Sequence, residues 1–471
     1  MTYSAQVSLW SAVPFFLLLA CIAVLPLVRK EWWAKFYPMV SIGLAVVTMV
    51  FYILFLHRIH PIVESGFEYI SFIALIGSLY VIAGGIHIRL RGRSRPLTNV
   101  VFLAIGAIVA NLVGTTGASM IMIRPFIRVN KYRIKAYHII FFIFIVSNVG
   151  GALTPIGDPP LFVGYLKGIP FFWSVANLWH IWLFAVATLL LVFYVIDRRE
   201  FSRLNRGQQE FAEETGEEGQ VEGLHNILFL LVVLGAVFVQ HPLFLRELIM
   251  LAAAAGSYFT TPSDVHKRND FDFAPIKEVA ILFAGIFITM VPALEWIAQN
   301  AAAFGFSDAG HFYWTTGALS SVLDNTPTYL NFLSAATGMF VNNNVVHDLM
   351  TLFRDHGDTL AMGTVGPEVR STMAFMMNYH PGAIASGVTT AGQVSTGYLL
   401  ATRGVIVRAI SVGAVFFGAM TYIGNGPNFM VKSIAEQTGV RTPSFISYIA
   451  KYSVPILLPI LVVVWLLFFH G

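Results

Sequence analysis

Apolar runs of about 20 residues recur along the chain, each long enough for a helix to cross the hydrocarbon core of a bilayer. In lipid every backbone polar group must be satisfied within the protein. Only helices and closed barrels meet that demand, and long runs without two-residue alternation specify helices. Charged residues make up 11% of the 471 positions, against about 25% in an ordinary soluble chain. The expectation is an all-α polytopic membrane protein. The single cysteine, Cys21, excludes an intramolecular disulfide.

Spans are expected at 7–28, 36–56, 69–88, 98–128, 136–153, 171–196, 225–240, 242–260, 277–296, 311–340, 403–423 and 443–469. The first reads as a retained helix, since no basic stretch precedes it and no cleavage site follows. Most Lys and Arg residues, including Arg29, Arg91, Arg93, Arg95, Arg133, Arg198, Arg206 and Lys267, lie between spans and not in them. Placing them in the cytoplasm puts the N-terminus outside. The net charge of +4 is therefore a topology signal, and no nucleic-acid partner is expected. Segment 98–128 is too long for one crossing. It has to enter and leave on one side as a re-entrant hairpin, with a tip at Gly114-Thr115-Thr116-Gly117.

An acidic segment, 201–224, with Glu210, Glu213, Glu214, Glu217, Glu218 and Glu222, reads as a solvated cytoplasmic linker near mid-chain. The sequences on its two sides correspond. FIALIGSLYVIAGG at 72–85 pairs with VAILFAGIFITMVP at 279–292, and 111–125 with 323–337. In 153–172 and 420–439, Ile156-Gly157-Asp158-Pro159-Pro160 lies against Ile423-Gly424-Asn425-Gly426-Pro427. The expected plan is two inverted repeats, each with a re-entrant hairpin and a broken transmembrane helix. Its divisions are 1–68 (scaffold helices), 69–200 (first repeat), 201–224 (linker), 225–276 (second scaffold pair) and 277–471 (second repeat). Hairpin tips are expected at 114–117 and 324–328, and helix breaks at 154–160 and 424–428. Residues 341–402, including HDLMTLFRDHGD at 347–358, have no assigned place in this plan.

Non-helical backbone at membrane depth survives only where protein buries it or where it lines a cavity. The two tips and two breaks should therefore face one another around a single site. Asp158 and Asp324 would be its acids. Asn325, Thr326, Asn148, Ser147, Thr154, Gly157, Thr115, Thr116 and Asn425 would supply hydroxyls, amides and carbonyls. An isolated acid in low dielectric favours its neutral form, whereas a bound cation favours the charged one. Proton and cation then compete for the same oxygen, the physical basis of antiport. Hard oxygen donors suit sodium and not zinc or copper. Each acid also stands where an N-cap would, ahead of a resuming helix. Asn111 is a further intramembrane amide, and Glu295, at the end of a span, reads as interfacial.

SSVLDNTPTYLNFLSAATGM at 320–339 and SNVGGALTPIGDPPLF at 147–162 resemble the signature segments of the NhaD-type sodium/proton antiporter family. That family lies within the ion transporter superfamily, which includes arsenite, citrate and dicarboxylate carriers. The resemblance implies intramembrane acids at Asp158 and Asp324, with Ser147, Asn148, Thr154, Ser320, Asn325 and Thr326 as polar neighbours. It further implies a homodimer in a bacterial inner membrane, moving by elevator-like alternating access and exchanging sodium or lithium for protons, with no cofactor. The alternative is a sodium- or proton-coupled carrier of citrate or another carboxylate, because half-helix N-termini attract anions. No catalytic triad, P-loop or metal-ligand cluster points to an enzyme, and no ring of charge points to a channel.

Overall fold

The computed structural model describes residues 7–89, 94–204, 220–239, 242–269, 271–300, 303, 305–354, 366–385 and 389–470. Its helices are α1 (Val13–Val28), α2 (Lys30–Leu54), α3 (His60–Gly84), α4 (Pro96–Val129), α5 (Ala136–Ile145), α6 (Pro159–Leu166), α7 (Trp173–Ser202), α8 (Asn226–Ala236), α9 (Leu245–Thr260) and α10 (Ser263–Arg268). They continue with α11 (Ala274–Asn300), α12 (Ala309–Ser320), α13 (Asn325–Phe340), α14 (Asn343–Arg354), α15 (Pro367–Tyr379), α16 (Pro381–Ala385), α17 (Ala391–Phe417) and α18 (Gly426–Gln437). The last, α19 (Phe445–Tyr448), runs through a π-helical stretch, Ile449–Leu457, into α20 (Leu458–Phe468). Pro455 lies in that stretch and withholds a backbone donor there. Among the described residues eight helical stretches are long and apolar enough to cross a membrane, so this is an all-α polytopic membrane protein. Val46, Val47 and Leu54 stand outward on α2, as side chains do where lipid is the solvent.

α4 is a hairpin and not a rod. A straight helix would separate residues 102 and 126 by about 36 Å, yet the rings of Phe102 and Phe126 stack with centroids 5.2 Å apart. The chain reverses at Gly114, where φ is +79°, a conformation that favours glycine. α12 and α13 make a second hairpin, with Phe312 against Phe340 at 6.1 Å. Each hairpin is followed by an interrupted helix and a long closing helix. α5, the sequence AYHIIFFIFI, is apolar on every side, and residues 137–145 are all buried. It packs against α4, α7 and α18.

Several elements differ from expectation. α3 begins at His60, nine residues before the span expected from 69, because polar Glu64 and Glu68 sit on its first turns. α17 begins at Ala391 and not near 403; its first turns are polar on one face but bury Val394 and Tyr398. α14 and α15 pack on that end of α17 as a small apolar cluster of their own, so part of 341–402 is an ordered helical attachment. Residues 355–358 of the unplaced stretch lie outside the described residues. So do Arg91, Arg93, Arg206, Glu210, Glu213, Glu214, Glu217 and Glu218. The end of the acidic segment is not a free linker. β2 (Gln220–Glu222) pairs antiparallel with β1 (His87–Arg89), Ile88 opposite Val221, and Glu222 Oε1 accepts from Arg268 Nη1 at 2.7 Å. Glu295 is half-buried and clamped by Arg58 at 2.9 and 3.0 Å, with the Tyr52 hydroxyl at 2.9 Å.

Arg133 is not a loop charge in water. It is 7% exposed and paired to the fully buried Asp197 of α7. Tyr137 donates to Asp197 at 2.6 Å and Asn99 at 3.0 Å, while Asn99 and Asn130 exchange amide bonds at 2.8 and 2.9 Å. This network staples the two arms of the first hairpin to α7. Removing one partner of a buried ion pair leaves an uncompensated charge. Asp197→Ala should therefore lower stability by about 3 kcal/mol, read as a large fall in the detergent-solubilised protein's melting temperature, while Arg58→Ala at the more exposed pair should shift it far less.

Candidate functional site

The two breaks follow one local logic. α5 ends at Ile145, a short 3-10 turn covers Val149–Gly151, and the helix resumes at Pro159 with Asp158 as N-cap. α17 ends at Phe417, a 3-10 turn covers Gly418–Met420, and the helix resumes at Gly426 with Asn425 as N-cap. The unwound segments are thus 146–158 and 418–425, earlier than the expected 154–160 and 424–428. Pro159, Pro160 and Pro427 open the new helices, where a missing N–H costs nothing. The unwinding is set by glycine. A methyl on Gly150 would lie 2.4 Å from the Ile145 carbonyl oxygen and 2.7 Å from Ala107 Cα. One on Gly157 would lie 2.1 Å from the Gly151 carbonyl oxygen.

Asp158 is the centre of the assembly. It is fully buried and makes no side-chain cap to its own helix. Its Oδ1 accepts from Thr115 Oγ1 of the first hairpin tip at 2.9 Å and from Asn425 Nδ2 of the second break at 3.3 Å. Its Oδ2 accepts from Asn325 Nδ2 of the second tip at 3.1 Å. One carboxylate thus joins both tips and both breaks, through residues far apart in sequence. All three donors are neutral, and among the described residues Asp158 has no Lys or Arg ion pair.

The surrounding groups tie the same elements together. Asn425 Nδ2 also reaches Ser147 O at 3.1 Å and Asn148 Oδ1 at 3.2 Å, and Asn148 Nδ2 donates to Asn428 Oδ1 at 2.7 Å. Ser147 Oγ meets Ser119 Oγ at 2.8 Å. Thr154 Oγ1 donates to Asn111 O at 2.6 Å and accepts from Gly157 N at 3.0 Å, and Gly157 O accepts from Thr115 N at 2.8 Å. Ser320 Oγ meets Asn325 Oδ1 at 2.7 Å. Thr326 is buried beside the second tip. Thr116 is half-buried and lines a crevice beside the first.

Asp324 is placed differently. It is half-buried, and its Oδ1 accepts from Thr326 N at 3.0 Å as the N-cap of α13. No hydrogen bond links it to the Asp158 cluster. Of the two acids only Asp158 sits in the polar cage, and the other break presents Asn425 in its place. Among the described residues no group of three or more His, Cys, Asp and Glu side chains could hold a metal ion.

Asn428 was not singled out from sequence, although it donates to Gly418 O at 2.8 Å and Thr421 O at 2.9 Å and so shapes the second break. The signal available was an amide three residues after Asn425 in an otherwise apolar turn. Asn111, flagged only as an intramembrane amide, has the matching task in the first half. It donates to Gly150 O at 2.6 Å and accepts from Leu153 N at 2.9 Å.

No curated protein matches the chain. Residues 4–469 match the family described as "Putative citrate transport". That match spans both hairpins, both breaks and the helices around them, and it fits the carboxylate alternative better than sodium/proton exchange. A polytopic helical chain whose breaks and tips meet at one buried acid is of a piece with it: the chain belongs to this citrate-transport family, a transporter family of the ion transporter superfamily.

Proposed function

We propose that the protein is a secondary carrier of citrate or a related carboxylate, coupled to a cation that neutralises Asp158. The observation that carries this reading is the set of helix starts around that acid. The second arm of α4 resumes at Thr115, α6 starts at Pro159 behind Asp158, α13 starts at Asn325 and α18 starts behind Asn425. Each helix N-terminus carries about half a positive charge, so the four together balance Asp158 and Asp324, the carboxylate that caps α13. The facing carbonyl ends are already engaged: Gly150 O by Asn111 and Trp182, Gly418 O by Asn428, and Ala414 O by Ser320. Such a site favours an anion once a proton or sodium ion has joined Asp158.

In this reading the recurring element order is the two inverted repeats of an elevator-type carrier, with the hairpins and broken helices as the moving part. Thr115, Asn325 and Asn425 orient Asp158, while Ser147, Asn148, Thr154, Thr326 and Thr116 line the path of substrate or ion. The basic loops favour a cytoplasmic placement with the N-terminus outside. A bacterial inner membrane and a homodimeric state extend the same reading. The test is uptake of labelled citrate into proteoliposomes under imposed proton and sodium gradients. Accumulation driven by either gradient is expected. Sodium-induced collapse of a pH gradient, insensitive to citrate and without citrate uptake, would return the protein to sodium/proton exchange.

A further inference from the structure

Two crevices open along the seam between α3 and α6. One, beside the first hairpin tip, is lined by Leu75, Leu79, Gly114, Pro159 and Phe162. The other is lined by Glu68, Ser71, Leu166, Arg246 and Glu247. Glu68, Ser71, Leu75 and Leu79 recur at three- and four-residue steps, which is one face of α3. Pro159, Phe162 and Leu166 recur likewise on α6. The crevices therefore lie end to end, and α6 carries Asp158 at its start and Lys167 at its end.

One paired cation, Arg246, lines the second crevice, and another, Lys167, pairs with its wall residue Glu68. Lys167 Nζ meets Glu68 Oε1 at 2.7 Å, and Arg246 Nη2 meets Glu247 Oε1 at 2.7 Å and Ser71 Oγ at 2.8 Å. The other Glu68 oxygen, Oε2, is buried without a hydrogen-bond partner. The charged groups around Glu68 are Lys167 from the end of α6 and Arg246 and Glu247 from α9; on α3 itself Glu64, exposed, lies within 3.5 Å of His60. The main chain under Lys167 is fixed from the far side, since Thr396 Oγ1 donates to Lys167 O at 2.7 Å and a His380 ring nitrogen lies 3.1 Å from Gly168 O. The ammonium can change partner while its backbone stays in place.

We propose that this charged crevice is an outer station that loads a substrate carboxylate together with a proton. As the Lys167–Glu68 pair opens, a proton from water binds the Glu68 carboxylate, and the freed Lys167, with Arg246 on the crevice wall, takes the substrate carboxylate. The proton's charge offsets that of the one carboxylate group the crevice takes, and the substrate then follows the seam toward the Asp158 cage. The proposal rests on the carboxylate-carrier reading, which supplies the anion.

Labelled citrate uptake into proteoliposomes, measured across pH, tests it. In wild type the KM should rise with pH. Lys167→Gln should raise KM about tenfold with little change in maximal rate, Lys167→Arg should restore it, and Glu68→Gln should flatten the pH dependence of KM. Cys21 is the only cysteine, so a Cys21→Ser, Leu243→Cys chain places one thiol in the crevice wall beside Arg246. Citrate should slow its reaction with an anionic thiol reagent, more so at acid pH. That labelling decides the matter if the charge variants fail to fold. A wild type that takes up citrate while Lys167→Gln keeps its KM, or while labelling is unprotected, overturns the station and leaves the carrier reading standing. A wild type that takes up no carboxylate overturns both.

Discussion

Asp158→Asn is expected to yield a folded protein in which gradient-driven citrate uptake falls about 100-fold or more. The exchange keeps the side chain's shape, so Thr115 and Asn425 retain an acceptor. The amide nitrogen that replaces Oδ2 would face Asn325 Nδ2, a donor against a donor. Removing a buried charge that has no ionic partner costs the fold little, because burying an isolated carboxylate is itself unfavourable. In the proposed mechanism, function loses the carboxylate that holds the coupling cation. A charged acceptor of this kind is worth about 3 kcal/mol, which corresponds to about 100-fold in rate. Size-exclusion behaviour and melting temperature near wild type, together with lost accumulation, are the expected results. Full gradient-driven uptake by Asp158→Asn would remove Asp158 from the coupling step. Asp324→Ala is expected to act through stability instead, by about 1 kcal/mol, as loss of an N-cap does, because its side chain caps α13 and makes no hydrogen bond to the cage.

Gly157→Ala is expected to be the most damaging single-methyl change at the two helix breaks. The new methyl would stand 2.1 Å from the Gly151 carbonyl oxygen and 2.9 Å from Asn111 Oδ1. Both are fixed: one is backbone, and the other accepts from Leu153 N. Relief requires the 146–158 segment to move as a unit, which would pull Gly157 O from Thr115 N and shift Asp158. A loss of more than about 4 kcal/mol fits overpacking against immovable backbone. The readout is poor recovery of monodisperse protein and no uptake from whatever folds. Gly426→Ala, with nothing within 4 Å of the added methyl, is the control and should express normally.

Helical membrane class was legible from composition and run length, because the bilayer imposes backbone satisfaction on any sequence that enters it. The reversal within α4 was legible too, since a 34-residue helix exceeds one crossing and Gly114 stands near its middle. Local chemistry was less decisive at the breaks. Proline, glycine and aspartate announced an interruption near 158 but not where it began, and close backbone contact at Gly150 and Gly157 moved it forward to residue 146. Arg133 read as a loop charge because its partner, Asp197, lies 64 residues away.

The two acids mark the boundary most clearly. In sequence Asp158 and Asp324 are alike: each follows a helix, precedes another and can serve as an N-cap. By itself the sequence determined that both stand at helix starts within apolar surroundings. Only the tertiary structure separated them. The tips and breaks meet on the Asp158 side and bring Thr115, Asn325 and Asn425 to its carboxylate, whereas Asp324 turns back to the Thr326 N–H of its own helix. The cause is distance along the chain. A cap is a contact within three residues and is written locally, while a cage whose members come from four segments exists only once those segments pack.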